Sequence, residues 1–76
     1  METDSKILVT GASGLIGNHL VRQFLKKNFQ ITAIVHNRTS YLPTAKNLHI
    51  IRGDLTDYNF CKKICKGVDY VFHLAV

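Results

Sequence analysis

Apolar residues follow two rhythms along this chain. Short runs without alternation occur at 6–10 (KILVT), 29–35 (FQITAIV), 48–52 (LHIIR) and 68–76 (VDYVFHLAV). Unbroken apolar or β-branched runs of this length predict strands, and the first and last predict strands buried on both faces. Between them the period lengthens. From about Ser13 to Lys27 the apolar positions are Leu15, Ile16, Leu20, Val21, Phe24 and Leu25, with Asn18, His19, Arg22, Gln23, Lys26 and Lys27 opposite. That stripe predicts an amphipathic helix, and its terminal lysines suit the negative end of the helix dipole. A second helix is expected from an N-cap at Thr56, with Asp57 in its first turn, to about Lys66. Phe60, Cys61, Ile64 and Cys65 would face inward, and Gly67 would stand at the C-cap. The stretch 36–47 is polar and interrupted by Pro43, so it predicts a loop crossover. The order β-α-β-β-α-β predicts an α/β fold: a four-stranded parallel sheet, strand order 3-2-1-4, with flanking helices, half of a doubly wound domain.

At 76 residues the chain is one domain at most. A chain this short buries only about 60% of its unfolded surface, so its stability margin is thin. An apolar fraction of 46% argues against disorder. The net charge of +5 comes from basic residues scattered along the chain. They form no dense block and no aromatic–basic interleaving, so nucleic acid is not the expected partner. The polar start, METDSK, is unlike a signal peptide, and no run approaches the roughly 20 apolar residues that span a bilayer. A cytoplasmic location is expected. Cys61 and Cys65 read as reduced packing residues, and no histidine pair has metal-ligand spacing beside a cysteine.

The feature that calls for a ligand lies between the first strand and the first helix. There the chain reads TGASGLIG, with Gly11, Gly14 and Gly17 at every third position. A glycine inside a helix costs roughly 1 kcal/mol relative to alanine. A strand-to-helix turn offers free backbone N–H groups at the positive end of the helix dipole, and glycines let a pyrophosphate approach them. A tight packing corner with no ligand is the plainer explanation of the same glycines. Ser13, small and polar inside the turn, fits phosphate contact as well.

TGASGLIG, IIRGDLTD (50–57) and VDYVFHLAV (68–76) occur in the order and at the distances found in the short-chain dehydrogenase/reductase superfamily. Together they resemble its extended branch of NAD(P)-dependent epimerases, dehydratases and dihydroflavonol-type reductases. The resemblance covers essentially the whole chain and implies a partial Rossmann fold, 1–76 being the N-terminal half of a dinucleotide-binding domain. It implies that Gly11, Ser13, Gly14, Leu15 and Ile16 line the pyrophosphate, mostly through backbone N–H groups, and that Gly17 serves packing. It places Asp54 against the adenine amino group, with the Leu55 backbone beside it, and Leu74 and Ala75 under the adenosine ribose. A turn-forming aspartate after Gly53 is the structural alternative for Asp54.

The end of the second strand distinguishes the two nicotinamide cofactors, an acid there binding the ribose hydroxyl of NAD and a base the 2′-phosphate of NADP. This chain has Val35-His36-Asn37-Arg38 and no acid from 29 to 53. His36 and Arg38 therefore favour NADP, with NAD the alternative. The family's catalytic Tyr-x-x-x-Lys is not matched. Tyr58 and Lys62 have its spacing, but at the start of a helix that follows the adenine segment, where a surface pair is expected. No catalytic residue is assigned, and turnover by these residues alone is not expected. A free-standing, non-catalytic binding module is the alternative. In either case the edge of the fourth strand invites self-association or pairing with another chain.

Overall fold

A computed structural model describes residues 4–36 and 42–74. It contains strands β1 (Lys6–Thr10), β2 (Gln30–Val35), β3 (Leu48–Arg52) and β4 (Tyr70–His73), and helices α1 (Leu15–Lys26) and α2 (Tyr58–Ile64). The sheet is parallel throughout, with the order β3-β2-β1-β4. β1 is central, with Val9 registered against Ala33 on one side and Phe72 on the other. The architecture is the α/β partial Rossmann arrangement that the alternating elements predict.

Side chains alternate across the sheet. Ile7 and Val9, with Ile31, Ala33, Val35 and Leu48, face α1 and form the core with Val21 and Phe29. Phe24, Leu25, Leu42 and Phe72 pack around that cluster. Leu8 and Ile34 belong to the other face and are also buried, which is why β1 and β2 carry unbroken apolar runs. α2 lies on that second face, as a right-handed crossover from β3 to β4 requires. Its Phe60 and Ile64 line a groove with Thr32, His49 and Ile51.

α1 ends in a Schellman arrangement. The Phe29 N–H donates to Phe24 O and the Asn28 N–H to Leu25 O. Asn28 takes the left-handed conformation (φ 63°) that this closure needs. The Phe24 and Phe29 rings meet edge to face across it at 5.7 Å. Gly67, expected at the C-cap of α2, lies two positions beyond the cap, with φ 76°.

Several local expectations are corrected. Leu15 and Ile16 are not part of the buried stripe; they are 92% and 72% exposed. They occupy the first turn of α1 but, at about 100° per residue, lie on the side of the helix turned away from the buried Gly17 and Val21, so they do not face the sheet. The N-cap of α2 is Asp57, not Thr56: the Asp57 carboxylate accepts the N–H groups of Asn59 and Phe60. Thr56 is instead held by Asp54. α2 stops at Ile64 with Cys65 as its C-cap, and Cys65 is exposed rather than inward. β4 is an edge strand whose Tyr70, Val71 and His73 are exposed, so it is not buried on both faces.

Candidate functional site at the carboxyl edge of the sheet

Two strand-to-helix turns meet at the carboxyl ends of the strands. The first, β1 to α1, is built from backbone. Gly11 has φ 67°, in the left-handed region that disfavours side chains. The Gly14 N–H donates to Gly11 O at 3.1 Å, and Ala12 is buried with its N–H directed to Ile34 O. Gly14 is the N-cap of α1 and supplies no side-chain cap. The first bond within the helix runs from the Asn18 N–H to Gly14 O. The N–H groups of Leu15, Ile16 and Gly17 therefore precede the helix ladder and carry its positive dipole end. Gly17 is required by packing: a Cβ there would fall 2.2 Å from Gly11 O and 2.9 Å from Ala12 Cα. A Cβ on Gly14 would meet only Gly11 O, at 3.3 Å.

The second turn, β3 to α2, is built from side chains. The Gly53 N–H extends the sheet by donating to Val35 O. Asp54 Oδ1 accepts from the Thr56 N–H at 2.9 Å and from the Thr56 hydroxyl at 2.7 Å. These two bonds hold the Asp54 carboxyl below its ordinary pKa, the Thr56 N–H contributing most and His36 adding a smaller favourable field. The turn-forming role of Asp54 is thus present in the fold. Both of these bonds fall on one oxygen of the carboxylate.

Of the residues the sequence singles out, Gly11, Ser13, His36, Asp54 and Leu55 line a single cleft of about 470 Å³. Gly14 and Leu15 line an adjoining groove along α1, with Asn18, His19 and Arg22. Ile16 and Gly17 line neither; Gly17 is buried beneath the turn. Leu74 is half-buried against the core, and its N–H donates to Thr10 O and Thr10 Oγ1. Arg38 and Ala75 lie outside the described residues. Tyr58 and Lys62 are both exposed on α2.

The structure also adds a pair that sequence reasoning did not join. The buried Thr10 hydroxyl lies 2.7 Å from His73 Nδ1, tying the ends of β1 and β4 together at the cleft. A threonine before the first glycine and a histidine in an apolar strand were each visible. Their contact, across 63 positions, was not. The bond between Asp54 and Thr56 had a local signal, the Asp-x-Thr spacing of a side-chain turn. Among the described residues no group of three His, Cys, Asp or Glu gathers in metal-binding geometry. No helix among them is long and apolar enough to cross a membrane.

Comparison with known proteins agrees with this geometry. The model of the NAD dependent epimerase/dehydratase family matches residues 7–76. A 3 beta-hydroxysteroid dehydrogenase/Delta 5-->4-isomerase of Mycobacterium tuberculosis is 33% identical over 70 residues, covering 92% of this chain and 19% of that protein. Among solved structures, the epimerase Mth375 of Methanothermobacter thermautotrophicus superposes with a TM-score of 0.90 at 28% identity, covering 96% of this chain and 23% of that one. The Bordetella bronchiseptica enzyme WbmH, solved in complex with NAD+, gives a TM-score of 0.89 at 25% identity, covering 95% of this chain and 26% of that one. The chain thus spans about a fifth to a quarter of the length of the proteins it matches. It belongs to the NAD-dependent epimerase/dehydratase family.

Proposed function

We propose that this chain binds a nicotinamide adenine dinucleotide across the carboxyl edge of its sheet, and NADP in preference to NAD. The observation that carries the reading is the β1–α1 turn. It leaves three helix N–H groups outside the helix ladder, next to a cleft that also holds Asp54. An anion is the partner such a turn suits. In this reading the turn from Gly11 to Ile16, Ser13 included, receives the diphosphate. Asp54 and the Leu55 backbone receive the adenine, its amino group donating to the carboxylate. Leu74 and Ala75 support the ribose.

The NADP preference rests on His36, exposed at the end of β2 on the rim of the cleft, and on Arg38 two positions later. A guanidinium there would pair with a 2′-phosphate, and β2 ends in no carboxylate to accept a free 2′-hydroxyl. WbmH was solved with NAD+, which makes the preference a property to measure. When bound, the cofactor supplies hydride transfer. The residues named here bind and orient its adenosine and diphosphate. For the protein as a whole we propose the family's chemistry as an epimerase, dehydratase or reductase.

Titration with NADPH and NADH, followed by cofactor fluorescence, tests the reading. Saturable binding that is tighter for NADPH is expected, with the preference lost in His36→Asp. Tighter NADH binding overturns the cofactor choice, and no binding of either by folded protein overturns the function. A second reading, association through the outer edge of β4, is favoured by the exposure of Tyr70 and Val71. Sedimentation across a dilution series tests it, and a monomer at every concentration contradicts it.

A further inference from the structure

We infer that the first turn of α2 sets the selectivity for the adenine base, with Phe60 and Cys61 as positioning residues for Asp54 and Leu55. The inference rests on the dinucleotide reading above and goes beyond it, because neither residue lines the cleft. The Phe60 ring lies directly against Gly53. A Cβ on that glycine would fall 2.0, 2.4 and 2.5 Å from three of its ring carbons. Gly53 is the residue before Asp54, so the ring sets the height of the backbone that carries the carboxylate. One position further on, the half-buried Cys61 thiol donates to Leu55 O at 3.1 Å. The turn is thus held from below at Gly53 and at Leu55, on either side of Asp54.

Above, Asp57 closes the same unit. Its N–H donates to Asp54 O at 3.1 Å, and its carboxylate caps the helix that bears Phe60 and Cys61. Adenine differs from hypoxanthine at the group Asp54 would accept, an amino donor being replaced by a carbonyl. Discrimination between the two bases therefore depends on where the carboxylate stands. The residues that fix it act without touching the ligand.

The test compares binding of NADPH with binding of its deamino analogue, which carries hypoxanthine, to the 76-residue chain and its variants. The unmodified chain is expected to favour NADPH by about tenfold, the scale of a charge-assisted hydrogen bond. Phe60→Ala should remove most of that ratio, and Cys61→Ala should reduce it by about threefold, as fits a weak S–H donor. Cys61→Ser, which keeps a donor, should restore part of it. Cys65→Ala should leave it unchanged. A role confined to stability would weaken both ligands equally and leave the ratio where it was. Should Phe60→Ala not fold, the cysteine series carries the same test. An unchanged ratio in Cys61→Ala, with both ligands bound, overturns this inference and leaves the dinucleotide reading standing. Failure of the unmodified chain to bind either ligand overturns both.

Discussion

The two turns at the carboxyl edge solve the same geometric problem in opposite ways. Each must take a parallel strand into a helix. The β3–α2 turn satisfies itself: Asp54 binds Thr56, Asp57 caps the helix, and Phe60 packs beneath Gly53. The β1–α1 turn has none of these side-chain devices. Its cap is a glycine, its closest packing is backbone on backbone, and the first-turn N–H groups of α1 have no cap. Both turns cost conformational freedom, but only the second recovers it from its own side chains. The first is therefore the one arranged to be completed by something else, and the diphosphate of a dinucleotide is the group that fits it.

Substitutions can break that contrast in graded steps. The largest effect on folding is expected from Gly17→Ala, because the added methyl meets backbone atoms that cannot swing aside. Overpacking of this kind should cost about 3 kcal/mol, more than the alanine's helix preference returns. Urea denaturation reads it directly. Gly14→Asp should separate folding from binding. Its backbone (φ −75°, ψ 168°) suits any residue, and the gain of an aspartate N-cap at the positive helix end offsets the tight 3.3 Å approach of the new Cβ to Gly11 O, so the melting temperature should change little. Its charge would nonetheless abolish dinucleotide binding. In the self-satisfied turn, Asp57→Ala should cost about 1 kcal/mol, the usual value of an N-cap, visible in the same urea series.

The smallest effect belongs to Asp54, and it depends on pH. Its carboxyl is held below the ordinary value of 3.8 in the folded chain, chiefly by the Thr56 N–H. A depressed pKa contributes stability that is fully present above the unfolded value and lost as pH falls through the folded one. Asp54→Asn should therefore be less stable than the unmodified chain at neutral pH. The two should converge as the pH is taken below 3.8. Melting curves across that range check it, and a difference that persists in acid contradicts it.

Much of this was legible in the chain. β1 and β3 match the apolar runs at 6–10 and 48–52, because short apolar, β-branched runs carry a strand's signal locally whether the strand is central, as β1 is, or at an edge, as β3 is. The glycine turn was legible for the same reason, positive φ at Gly11 and the crowding at Gly17 being backbone demands. What misled was context. Leu15 and Ile16 are apolar neighbours of the helical stripe, but at about 100° per residue they fall on the side away from Gly17 and Val21. Thr56 and Asp57 are both good N-caps, and in the fold the Thr56 hydroxyl is engaged by Asp54 while Asp57 caps the helix. β4 reads as buried from its apolar residues, yet it stands at a sheet edge. The contact of Thr10 with His73 depends on the crossover that brings distant segments together, and that of Phe60 with Gly53 on the path of the β3–α2 turn.

The central claim is that the first-turn N–H groups of α1 receive a diphosphate. The most direct measurement is a titration of the isotopically labelled chain with NADPH, following backbone amide resonances. The amides of Ser13, Leu15 and Ile16 should shift most, with Asp54 and Leu55 responding in the same concentration range. Saturable binding that leaves those three amides unmoved would contradict the claim.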